Sequence, residues 1–253
     1  MADQERLRPV TPEQHSVTRS LVLHLLPGAA LAVFVVLAAQ VIPAVVALLI
    51  GIGLVIVPIE LGYLLYQARR RNGTWSLEGV VLYRERMPTR RLVLLAIPLV
   101  AWFVVLFLIS AAFLDSAIAD RLFSWYPESI REFATFGDEE DDTDVATWAL
   151  AVFVPLAFLL NGFLGPVVEE LYFRGHLLPR IDRYGRGAPV LNAVLFSAYH
   201  FWTPWANPGR VLGLLPWIYV VWREQSLALS LAVHLAVNNL FLLLVFAALL
   251  AER

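Results

Sequence analysis

The stretch Gly165-Pro-Val-Val-Glu-Glu-Leu-Tyr-Phe-Arg-Gly-His176 sets two adjacent carboxylates, an arginine and a histidine inside a chain otherwise composed for lipid. Carboxylates in a membrane-spanning segment are costly unless paired or facing water, and by default they mark a functional site. The stretch needs partners from other helices and a fixed depth. The fold class it points to is all-α: a polytopic membrane helix bundle of about seven to eight transmembrane helices around a buried polar active site.

Composition agrees. Hydrophobic residues make up 59% of the chain and the mean hydropathy is +0.69, well above the roughly 45–50% apolar share of soluble domains. The 253 residues accommodate about six to eight spans. A net charge of −2 without a basic patch gives no argument for nucleic acid. No cysteine is present, which excludes disulfide and thiolate chemistry. All 19 basic residues are arginine, a bias read as prokaryotic genome composition, and the expected location is a prokaryotic plasma membrane.

Working outward along the chain, residues 1–20 form a polar tail and 21–253 one transmembrane domain. Spans are expected over Leu21–Ala39, with His24 near its start, and over Ile42–Tyr66, where Glu60 reads as an interfacial or internally paired carboxylate. The loop Gln67–Arg91 carries Arg69, Arg70, Arg71, Arg84, Arg86, Arg90 and Arg91. By the positive-inside rule it is cytoplasmic, which also places the N-terminus inside. A third span follows over Leu92–Phe113.

Between Asp115 and Asp144 the sign reverses, with ten acidic residues against two arginines, ending in Asp138-Glu-Glu-Asp-Asp-Thr-Asp144. That run lacks the alternation and glycine of a calcium loop and reads as a solvated external loop. Trp148–Phe163 begins the next span, interrupted at Asn161-Gly162 and Gly165-Pro166, and a fresh helix is expected from Pro166 to Ile181. Helices over Pro189–Phe201, Val211–Trp222 and Leu227–Leu250 complete the chain, and no internal repeat appears.

On a helix Glu170 and Arg174 share one face in the favourable acid-then-base order, whereas Glu169 is turned about 100° away. Arg174 can therefore neutralise Glu170 and leave Glu169 for proton transfer. Two later polar sets are Phe196-Ser-Ala-Tyr-His200 and His234-Leu-Ala-Val-Asn238, the latter with histidine and amide on one face and Asn239 alongside. Counted inward from the arginine-bearing turns at about 1.5 Å per residue, Glu169, His200 and His234 fall in one layer near the middle of the hydrocarbon core. His176 reads as a packing or interfacial residue.

These motifs together, Glu169-Glu170-x-x-x-Arg174, Phe196-x-x-x-His200 and His234-x-x-x-Asn238, resemble the signature of the CPBP family of intramembrane proteases. That family includes the type II CAAX prenyl endopeptidases and the bacteriocin-processing or immunity proteins of the Abi type. The resemblance covers residues 148–245, and Phe173-Arg174-Gly175 shares in it. It implies hydrolysis of a peptide bond in a membrane-associated protein or peptide within the lipid bilayer. The positions of Glu169 and His200 would activate water. Those of His234 and Asn238 would stabilise the oxyanion, and Glu170 and Arg174 would support them.

The residue types leave metal participation open. Glu169, His200 and His234 are the set that would hold zinc with a position for water. No His-Glu-x-x-His pair is present and Asn238 is a poor zinc ligand, so a site without an obligatory metal or other cofactor is favoured. Two other classes fit the composition. A transporter also places acids and histidines at the midplane, usually on repeated halves, and a catalytically silent immunity or scaffold protein would keep the fold without needing every motif residue.

Overall fold

The computed structural model describes residues 12–128, 130–131 and 147–251; the acidic run 138–144 lies outside them, as do residues 1–11 of the tail. Seven helical rods make up the described part: α1 (Val17–Ala38), α2 (Ala44–Asn72), α3 (Thr89–Leu122), α4 (147–184), α5 (Gly187–Ala198), α6 (Asn207–Glu224) and α7 (Leu227–Ala251). Among the described residues five stretches are long and apolar enough to cross a membrane: α1, α2, α3, 152–184 of α4 and 227–247 of α7. The α5 helix is apolar but only 12 residues long. The chain is an integral membrane protein built as a polytopic helical bundle.

The helices begin and end where local chemistry dictates. Ser16 caps α1 by accepting from the Arg19 backbone N–H at 3.2 Å. Gly73 ends α2 in the left-handed conformation, at φ 68°, a region that glycine enters without steric cost. The long apolar helices expose large side chains such as Leu37, Ile97, Phe113 and Leu243, as expected where hydrocarbon is the solvent.

One expectation is corrected here. No break occurs at Asn161-Gly162 or Gly165-Pro166. The rod α4 runs through both, and wide π-helical turns at Phe158–Leu164 and Glu170–Leu177 flank a short α-helical piece, Gly165–Glu169. Pro166 offers no N–H to the preceding turn. A π-turn before it shifts the hydrogen-bond register instead of ending the helix, and the Gly165 N–H bonds to the Leu160 carbonyl.

The register shift frees carbonyls that other elements use. Those of Asn161 and Gly162 accept from the side-chain amides of Asn238 and Asn239 on α7, each at 2.8 Å. The carbonyl of Gly175 accepts the Leu82 N–H at 2.7 Å. In this way the loop 73–88 is strapped across one end of α4, and the Leu227 N–H at the start of α7 donates to Tyr83 O at 2.6 Å. On the other side, α1 presses so close to the end of α5 that a Cβ on Gly28 would overlap the Tyr199 carbonyl. The Asn192 amide on α5 lies 3.0 Å from His24 Nε2 on α1 and donates to Phe173 O on α4 at 3.3 Å, so α1, α4 and α5 are joined beneath the polar centre.

Candidate active site

The two adjacent glutamates of α4 occupy different environments. Glu170 is fully buried. His234 Nδ1 stands 2.8 Å from its Oε1, and Ser230 Oγ donates to Oε2 at 2.5 Å. Trp217 Nε1 donates in turn to Ser230 Oγ at 3.1 Å. Arg174 forms an ion pair with Glu170 at 3.3 Å, and its guanidinium lies 3.9 Å over the Phe196 ring and 5.4 Å from that of Trp217. A buried cation is thus balanced by one carboxylate and by aromatic faces.

Glu169 retains 13% side-chain exposure against 0% for Glu170. The Tyr199 hydroxyl donates to its Oε1 at 3.1 Å. Its Oε2 lies 3.7 Å from His234 Nε2, longer than a hydrogen bond. His234 therefore stands between the two carboxylates, bonded to Glu170 through one ring nitrogen and facing Glu169 with the other. The expected division, with Glu170 joined to Arg174 and Glu169 differently directed, describes this geometry.

His200 is half-buried at the end of α5. Its Nδ1 donates to Phe196 O at 2.8 Å, which leaves Nε2 as the acceptor of the neutral ring. The Phe196 ring meets both His200, at 5.0 Å between centroids, and His234, at 6.1 Å. The three motif helices therefore converge on that phenylalanine, although no hydrogen bond joins His200 to Glu169 among the described residues. Asn238, one helical turn beyond His234 and half-buried, spends one amide hydrogen on Asn161 O. His176 faces away from the carboxylates; its Nδ1 donates to Val80 O at 3.0 Å.

Three residues join the site that the motifs did not single out. Tyr199 and Ser230 are described above. The third is Glu60 of α2, which the sequence reading placed at an interface or in a pair. It is instead fully buried, and neither carboxyl oxygen has a hydrogen-bond partner among the described residues. It lies within electrostatic range of Glu169, Glu170 and Arg174 and beside the Tyr199 hydroxyl. Ser230 was within reach of spacing arguments, being four residues before His234 on the same face. Glu60 carried only the signal that any carboxylate within a long apolar helix carries.

Among the described residues no three His, Asp or Glu side chains are arranged to hold a metal ion. Glu170 and His234 are engaged with one another, and His200 bonds to neither.

Residues 151–240 match a protein-family model described as Rce1-like, type II CAAX prenyl endopeptidase Rce1-like. The matched segment contains Glu169, Glu170, Arg174, His200, His234 and Asn238. No curated protein and no solved structure matches the chain.

Proposed function

We propose that this chain, whose residues 151–240 match the Rce1-like model of type II CAAX prenyl endopeptidases, is an intramembrane endopeptidase acting on a membrane-associated protein or peptide through Glu169, His200, His234 and Asn238. The observation that carries the reading is His234, held between a dry, paired Glu170 and a partly open Glu169.

In this reading Glu169 is the general base. Tyr199 occupies its Oε1, so Oε2 takes the proton of the attacking water. The 3.7 Å separation between that oxygen and His234 Nε2 suits a water bonded to both groups. His200 Nε2, free because Nδ1 is bound to backbone, shares the proton and later returns it to the leaving amine. In this reading both ring nitrogens of His234 carry hydrogen throughout: Nδ1–H is anchored on Glu170, and Nε2–H donates to the oxyanion together with the remaining amide hydrogen of Asn238. Every step is assigned to protein groups, and no obligatory metal is invoked. The arginine-rich loop is taken as cytoplasmic, with the N-terminus on the same side.

The test uses purified full-length protein in lipid with a quenched fluorogenic peptide anchored to the bilayer. Glu169→Ala and His200→Ala are each expected to lower turnover by about 10²-fold or more with the melting temperature retained. Undiminished cleavage in both variants defeats the assignment.

A further inference from the structure

At the arginine-bearing end of the bundle is a cavity that the proposed chemistry does not use. It measures about 440 Å³, and its walls include Glu13, Arg19, Arg70, Arg71, His176 and Arg180. The arginines come from three helices: Arg19 from the first turn of α1, Arg70 and Arg71 from the last turn of α2, and Arg180 from near the end of α4. Four guanidinium groups thus face a single carboxylate, Glu13, which is paired with Arg19 at 3.0 Å.

Arg70, Arg71 and Arg180 form no ion pair among the described residues. Arg180 spends Nη1 on the carbonyls of Val80, at 3.2 Å, and His176, at 2.7 Å. Bringing these cations together is repulsive unless an anion shares the space.

His176 adds a second requirement. It is 2% exposed; its Nδ1 donates to Val80 O, and its Nε2 has no partner among the described residues. With the proton on Nδ1, the unpartnered nitrogen accepts a hydrogen bond, which a bare anion does not supply but a hydroxyl does. A phosphate that carries or adjoins a hydroxyl answers both demands. Its oxygens accept from the guanidinium forks, and the hydroxyl donates to His176.

We propose that this cavity is a phosphate-binding site, filled by the headgroup of an anionic glycerophospholipid or by free phosphate. The cavity lies where α1, α2 and α4 end together, the level at which headgroups meet a membrane protein, and it is several times larger than a bare phosphate ion. An occupant would tie α1 and α2 to the helix that carries Glu169.

The site is tested by binding, independently of peptidase activity. Full-length protein in detergent is titrated with dihexanoyl phosphatidylglycerol, with dihexanoyl phosphatidylcholine and with inorganic phosphate, while the melting temperature and retained lipid are followed. The expected result is a saturable rise in melting temperature with phosphatidylglycerol or phosphate, weakened about tenfold in the double variant R70Q/R71Q. Both side chains are exposed, so the variant retains the fold. The variant R183Q/R186Q, which removes the same charge outside the cavity, is expected to bind as the unmodified protein does. Saturation by phosphatidylglycerol but not phosphate identifies a headgroup site; the reverse identifies a site for the free ion. An equal response to phosphatidylcholine, no saturable binding, or equal losses in the two double variants overturns the proposal.

Discussion

His234 Nδ1 lies 2.8 Å from Glu170 Oε1, and this contact makes a carboxylate without solvent access the orienting partner of a buried imidazole. Glu170 fixes the ring and neutralises Arg174 at the same time. Replacing Glu170 with Gln leaves Arg174 charged, buried and unbalanced, so a stability loss of about 3–5 kcal/mol is expected. Adding Arg174→Met to Glu170→Gln should restore much of that stability without restoring turnover. Thermal unfolding and peptide cleavage on the same samples separate the two roles. If the double variant cleaves normally, neither residue supports the site.

Tyr199 donates to Glu169 Oε1, and Tyr199→Phe removes that donor without opening a large cavity. Turnover should fall by about tenfold with little change in melting temperature. Gly28→Ala should lower turnover from outside the site and the melting temperature with it, because the added methyl overlaps the Tyr199 backbone. A Gly28→Ala protein with full activity and an unchanged melting temperature would show that the close approach of α1 is not transmitted.

Glu60 offers a contrast. Its oxygens are buried without hydrogen-bond partners, so a neutral amide of the same shape removes a burden. Glu60→Gln is expected to hold or raise the melting temperature, while turnover changes through the lost neighbour of Glu169. A melting temperature lowered by several degrees would mean that Glu60 is a structural tie instead.

His15 precedes α1 and is buried. Burial, with the positive neighbours Arg19, Arg180 and His24, pushes its pKa down to about 3 from 6.5. The folded protein therefore holds this ring neutral where the unfolded chain protonates it. The resulting stability is fully present above about pH 6.5 and is lost as the pH falls from there toward 3. His15→Gln should flatten the acid limb of melting temperature against pH over that window. An unchanged limb would assign the acid sensitivity to other groups.

Metal dependence has a direct measurement. Exhaustive chelation is expected to leave turnover unchanged, with no stoichiometric metal by elemental analysis. Loss of activity that zinc restores would instead place a metal among Glu169, His200 and His234.

The motif residues were legible because intramembrane charge is expensive and spacing on a helix fixes which groups share a face. The face shared by Glu170 and Arg174, and the face shared by His234 and Asn238, follow from that alone. The unbroken α4 did not follow, since Gly165-Pro166 is as good a stop as it is a start in local terms. Only the amides of Asn238 and Asn239 on α7, bonding to Asn161 O and Gly162 O, show how the freed carbonyls are satisfied. Glu60 was missed for the same kind of reason: its neighbours lie on helices more than a hundred residues downstream, and no local pattern names them.

The π-turns of α4 also act as gearing. Each carries one more residue per hydrogen-bonded turn than the α-helix on either side, so Glu169 and Arg180 are held at a rotational offset set by the residue count between them. Deleting one residue within 170–177 would shorten that span by about 1.5 Å and turn one end against the other by about 100°. Glu169 could then face His234 only if Arg180 left Val80. Across this segment side chains can be exchanged singly, but the number of residues is fixed by two commitments at its ends.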